Sequence, residues 1–191
     1  MNSARVTAQQ NDITEALWRV LGTGGLQRLT LRAVAAEAGC TTGLVTSRFP
    51  SKKALLLHAR QTLHERTAAR MEHTRDTYAD PSEALVDILA DSSLRPEFNA
   101  GVWVGFIAAT ATDDELRRFH VAANRHYLQV VTELVARIRP DWTGDSVAEN
   151  AARLVALASG FAVLAGPDPE TYSPQTQRSA FTAAVSALTD D

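Results

Sequence analysis

The 191-residue sequence holds a single cysteine, Cys40, and two methionines. One thiol excludes an intramolecular disulfide and any zinc site built from several cysteines. Cys40 reads as a small apolar residue filling a turn rather than as a redox switch. The histidines do not make up the deficit. His58 and His64 stand six apart and His64 and His73 nine apart, so the i, i+4 pair that grips zinc on a helix is missing and a solvated helix face is expected instead. Also missing are a G-x-S-x-G elbow, an H-E-x-x-H pair, a phosphate-cradling glycine loop and a paired-carboxylate arrangement. No catalytic residue, cofactor or metal is therefore expected, and the chain is not read as an enzyme. The N-terminus lacks the apolar run of a signal peptide. No stretch approaches the roughly 20 apolar residues of a membrane span. A cytoplasmic protein with no membrane partner is expected.

What is present is helical. Apolar residues make up 45% of the chain, ordinary for a globular protein, and they recur at a period near 3.6 with little β-branched alternation. The formal charge of −3 hides an asymmetry. Residues 1–75 hold 11 Lys and Arg against 5 Asp and Glu, and residues 76–191 hold 8 against 17. A basic first third is the footprint of a polyanion partner, and the acidic remainder confines that partner to one end.

The basic part is organised around residues 30–55. Leu31, Val34, Ala35 and Ala38 fall at i, i+3, i+4 and i+7, the stripe of a short helix. Thr30 stands where a hydroxyl caps it, and Gly39 stands where a left-handed residue ends it. Thr41 is placed to cap a second short helix, with Val45 and Phe49 inward. Its outer face then carries Thr42, Gly43, Thr46, Ser47 and Arg48. Two short helices joined by a glycine-containing turn make a helix-turn-helix, here about residues 30–49. Small polar groups and one long cation suit a major groove, and Gly43 lets backbone approach phosphate. Ser51 caps a third segment that opens with Lys52 and Lys53, the wrong sign for a helix N-terminus unless an anion docks there.

With these residues on the page, the stretch resembles the DNA-binding domain of the tetracycline-repressor (TetR) family. The match runs through Thr30, Val34, Ala35, Ala38, Gly39, Gly43, Phe49, Lys52 and Leu55, with Thr41 for the usual serine. It departs at Thr46, where the family has tyrosine, and at Arg48, where it has tyrosine or histidine. The resemblance implies DNA contacts from Thr30, Arg32, Thr41, Thr42, Gly43, Thr46, Ser47, Arg48 and Lys52, with Arg48 standing in for a lost aromatic contact.

The rest of the chain is expected to follow suit. Ile13, Ala16, Leu17, Val20 and Leu21 stripe a first helix, capped by Asn11 or Asp12, stopped at Gly24-Gly25 and preceded by a disordered arm. A long helix from residue 51 to about 77 joins two modules. Residues 97–112 are apolar on more than one side and read as a fully buried helix at the centre of the second module. Helices over 113–139 and 145–165 and a last one from Ser173-Pro174 complete an all-α fold. Its domains would be 1–55, the three-helix helix-turn-helix domain, and 56–191, a helical ligand-binding and dimerisation domain. The small-residue faces of the last two helices predict an isologous homodimer.

The segment Val102-Trp103-Val104-Gly105-Phe106, with Asp114-Glu115-Leu116-Arg117 and Asn124-Arg125, is similar to the C-terminal domain of the choline/betaine-pathway repressors of the same family. That likeness implies a ligand neighbourhood of Phe98, Trp103, Phe106 and Tyr127, with Trp142 near it, and a choline-like effector held by cation–π contacts. The function expected is a ligand-responsive regulator binding a palindromic double-stranded operator, a repressor released by a small-molecule effector. The alternative is a helical small-molecule-binding dimer whose sequence-specific DNA binding has weakened or been lost.

Overall fold

The computed structural model describes residues 2–94 and 100–190, with side chains over 11–91 and 102–190. Among these residues the chain forms nine α-helices: α1 (Asn2–Arg28), α2 (Leu31–Glu37), α3 (Thr42–Arg48), α4 (Lys52–Thr77), α5 (Pro81–Leu94), α6 (Ala100–Ala109), α7 (Asp114–Ile138), α8 (Gly144–Leu164) and α9 (Pro174–Ser186). The all-α class is as expected. Local chemistry sets most boundaries. Thr30, Thr41, Ser51, Thr143 and Ser173 each accept a backbone N–H with the side-chain hydroxyl at a helix start. Asp113 accepts two, from Glu115 and Leu116.

The turn between α2 and α3 shows why Gly39 stands there. The Cys40 N–H donates to Ala35 O at 3.0 Å and the Gly39 N–H to Ala36 O at 3.2 Å. This is the paired bond pattern of a Schellman C-cap, and it needs the φ of +63° that Gly39 adopts.

Two cores form, and α4 threads both. The first gathers Ile13, Leu17 and Leu21 of α1, Val34 of α2, Val45 of α3 and Leu55, Ala59 and Leu63 of α4. The second gathers Met71 of α4 with Leu85, Ile88 and Leu89 of α5, Val131 and Leu134 of α7, Leu154 of α8, and Phe181 of α9. Twenty-six residues at about 1.5 Å each make α4 long enough to reach from one to the other.

Four expectations need correction. The backbone of α1 begins at Asn2, so Asn11 and Asp12 lie inside the helix rather than capping it. Residues 2–21 contain neither glycine nor proline to stop it. The predicted break does occur at Gly25, which sits at φ 60°. The helix α6 is not buried all round: Val102 and Phe106 are buried, but Val104 and Ile107 are more than 40% exposed. Nor is α6 central to the second module, because Val102 and Phe106 complete the first core. Finally, α8 is long and apolar enough to pass a length-and-composition criterion for crossing a membrane. The helix packs against α5, α6, α7 and α9, and Asp145, Glu149 and Arg153 lie along it.

Candidate functional site

The exposed face of α2 and α3 is built from short polar side chains turned back on their own backbone. The Thr46 hydroxyl donates to Thr42 O at 2.9 Å and the Ser47 hydroxyl to Leu44 O at 2.8 Å. With the proton engaged, each oxygen keeps lone pairs facing outward as an acceptor. Such acceptors match the exocyclic amino groups of cytosine and adenine in a major groove. Thr30 and Thr41 accept from the Ala33 and Leu44 N–H groups at 3.0 and 3.3 Å. Arg32, Thr42 and Gly43 are exposed, and Arg48 is half-buried at the end of α3. At Gly43 an added Cβ would meet nothing nearer than the Thr41 hydroxyl at 3.9 Å. The glycine therefore serves no packing need inside the chain.

The lysines that open α4 are engaged within the chain. The Lys52 Nζ donates to Leu26 O at 2.8 Å, placing its charge on a last-turn carbonyl of α1. Lys53 pairs with Asp113 and Glu115, both at 3.0 Å, which hold its amine above the usual lysine range. The wrong-sign charges at this N-terminus are thus met by neighbouring elements.

The second part of the site is a cavity of about 90 Å³ between α4, α6, α7 and α8. Its α4 wall is Arg60, Leu63, His64, Thr67 and Met71, spaced to share one helix face. Trp103 comes from α6, Ala123, Asn124 and Tyr127 from α7, and Val155, Ala158, Ser159 and Ala162 from α8. Arg60 is only 4% exposed. Its guanidinium lies 5.4 Å from the Trp103 ring centre and 5.7 Å from that of Phe119. Its Nε and the Thr67 hydroxyl are buried without a hydrogen-bond partner. Burial pushes the guanidinium down to about 10, which still leaves it charged near neutral pH.

Three histidines border this region. Burial first, then the Arg60 charge, holds His64 and His120 below their usual range. His64 packs edge-on against His126 and Phe119, and His120 lies 5.4 Å from Trp103 and 3.0 Å from the Asn124 amide. His58 bonds the Thr14 hydroxyl at 2.8 Å and packs on Phe49 at the end of α3. The expected solvated face therefore holds for His73 but not for His58 and His64.

Of the aromatic neighbourhood read from the sequence, Trp103 and Tyr127 line the cavity. Phe106 points into the first core instead. Trp142 packs under Arg139, 4.7 Å from its guanidinium, at the far end of the second core. Phe98 lies outside the described residues. Arg60, His64, Thr67, Asn124 and Ser159 were missed as lining residues. The signal that finds Arg60 and Thr67 is their shared face with Leu63 and Met71, the last apolar positions before α4 turns polar.

Comparison with known proteins agrees with this geometry. Residues 13–59 match the family described as bacterial regulatory proteins, tetR family. Residues 81–190 match the family described as BetI-type transcriptional repressor, C-terminal. A curated relative, the HTH-type transcriptional regulator BetI of Burkholderia thailandensis, is 27% identical over 160 residues, covering 81% of this chain and 82% of its own. Among solved structures, a transcriptional regulator from Saccharomonospora viridis in complex with choline superposes with a TM-score of 0.82 at 22% identity, covering 95% and 96% of the two chains. A transcriptional regulator from Rhodococcus sp. Rha1 gives 0.78 at 23% identity, covering 93% and 94%.

Proposed function

This chain belongs to the tetR family of bacterial regulatory proteins, and from that premise we propose that it is a homodimeric repressor released from a palindromic operator by a small molecule. The observation that carries the reading is the continuity of α4. Its cap, Ser51, lies three residues beyond the end of α3, and nine residues later Arg60 enters the cavity. A ligand that shifts α4 therefore shifts the platform on which α3 stands.

In this reading Thr42, Gly43, Thr46, Ser47 and Arg48 meet the major groove, and Thr30, Arg32, Thr41 and Lys52 lie toward phosphate. Lys52 reaches phosphate by releasing the Leu26 carbonyl. Two subunits place two such faces in successive grooves, joined through the small-residue faces of α8 and α9, where Ala148, Ala152, Ala156 and Ala183 are exposed. The effector favours a dimer whose reading heads are wrongly spaced, and operator affinity falls by the difference in its affinity for the two states. Kinship with the choline/betaine-pathway repressors is supported by the C-terminal match. A choline-like effector does not come with it, because the chain's own Arg60 cation already lies against Trp103.

The second reading, a ligand-binding dimer with weakened DNA recognition, is favoured by Thr46 in the tyrosine position and by the inward bond of Lys52. Fluorescence anisotropy of the full chain against its own upstream DNA and a scrambled duplex, at two salt concentrations, separates the two. The repressor reading expects tight palindrome-dependent binding whose logarithm falls with log salt by about 0.9 per phosphate neutralised. Equal weak binding to both duplexes, with no site recovered by selection from genomic fragments, would sink it.

A further inference from the structure

Three partly buried arginines show what a cation in this fold ordinarily has beside it, a carboxylate. Arg70 pairs with Asp91 at 3.1 Å, Arg75 with Asp76 at 2.8 Å and Glu133 at 3.2 Å, and Arg139 with Asp141 at 2.8 Å. Arg60 is buried more deeply than these, yet no carboxylate among the described residues pairs with it. Trp103 and Phe119 engage its charge through their rings but accept no bond from Nε, which stays without a partner. An unpaired buried cation destabilises the ligand-free fold, and an anion brought by a ligand would complete it. Arginine presents its donors as a planar fork that matches a carboxylate in a bidentate pair.

The remaining walls limit the choice. Arg60 supplies one positive charge, and burial and Arg60 itself hold the adjoining His64 and His120 below their usual range. The second charge of a dianion such as a phosphate monoester would have to be met by protonating His64 or His120, which burial and the Arg60 charge both oppose. Leu63, Met71, Val155 and Ala158 offer an apolar surface to the rest of the ligand. The volume of about 90 Å³ is below the roughly 300–1,000 Å³ usual for larger ligands, which favours a short chain or a single ring. A quaternary ammonium would face a like charge in a desolvated site.

We propose that the cavity binds a small organic monocarboxylate, its carboxylate on the Arg60 guanidinium and its apolar body against Leu63, Met71, Val155 and Ala158. The inference rests on reading this cavity as the effector site. Its test uses no DNA, so its failure leaves operator binding untouched, and failure of operator binding leaves this test intact.

The experiment is calorimetry and thermal unfolding of the full-length protein with butyrate, benzoate and phenylacetate, each beside its matching amide, and with choline. At least one acid is expected to bind ten-fold or more tightly than its amide and to raise Tm. Arg60→Gln is expected to abolish that preference, and Arg60→Lys to keep part of it. Arg60→Met is expected to raise the ligand-free Tm, the opposite of what loss of a structural residue does. Equal binding of acid and amide, no acid-dependent shift across the panel, a preference surviving Arg60→Gln, or choline outbinding every acid each overturns the proposal. Should Arg60→Gln fail to fold, the wild-type acid–amide pairs and Arg60→Lys still decide it.

Discussion

Gly43 separates what the fold needs from what a partner needs. It lies within α3 with ordinary helical backbone and open space around its missing Cβ. Gly43→Ala should leave the protein folded and raise its stability by up to about 1 kcal/mol, read by urea unfolding, because alanine is the better helix former. Operator affinity should nevertheless fall ten-fold or more in anisotropy, since the added methyl stands where phosphate or a base edge approaches. Unchanged affinity would remove Gly43 from the interface. Arg48→Ala should weaken specific binding by about 1–3 kcal/mol if the guanidinium reads guanine; an equal loss on specific and scrambled duplexes would make it a backbone contact. The half-buried histidines, His58 among them, set a pH dependence. His64 and His120 titrate below their usual 6.5 in the folded chain and regain it on unfolding. The unfolded state then binds protons first, so their contribution is full above about pH 6.5 and is lost as pH falls below it. Tm measured from pH 8 to 5.5 should drop on the acid side, and Arg60→Met should lessen that drop without removing it, because burial still lowers these two histidines and His58. A lower Tm at pH 8 than at pH 6 would contradict the assignment. At this scale the sequence was half legible. Thr30, Gly39 and Thr41 announce themselves because capping is decided within four residues. Arg60 does not, because its burial depends on Trp103 and Phe119, more than forty residues away.

Among elements, α6 departs most from its sequence reading, and the reason is physical. An apolar helix must cover its faces, but which neighbours cover them is a tertiary matter that composition does not encode. Here one face closes the first core with Val102 and Phe106, Trp103 turns to the cavity, and Val104 and Ile107 are left exposed. The contact with α1 is close: a Cβ on Gly105 would come within 3.0 Å of Leu26 Cδ1. Gly105→Val should therefore cost about 1–3 kcal/mol through overpacking, read by thermal or chemical unfolding. It should also disturb DNA binding, because Leu26 is the residue whose carbonyl receives Lys52. A variant as stable as the parent would show that the two helices part easily. The starts of α4, α7 and α9 were legible to within a residue or two because Ser51, Asp113 and Ser173 mark them, and α8, expected over 145–165, runs Gly144–Leu164 behind a Thr143 cap that the sequence reading did not use.

For the whole molecule, the two cores are joined by more than α4. Phe106 lies in the sequence half expected to hold the ligand, yet it is 1% exposed inside the core that supports α2 and α3. Phe106→Ala should destabilise the protein by about 3–5 kcal/mol, and protection of α2 and α3 amides from hydrogen exchange should collapse with it. Loss of protection confined to α5, α8 and α9 would place the residue in the other core. That shared core has a practical consequence for transplantation. A chimera made by splicing residues 1–55 onto a foreign sensor would carry the recognition surface without Leu63, Val102 and Phe106, three of the side chains that seal it. Such a graft should melt at its reading end unless the donor's α6 travels with it, so the portable unit of this protein is discontinuous in sequence.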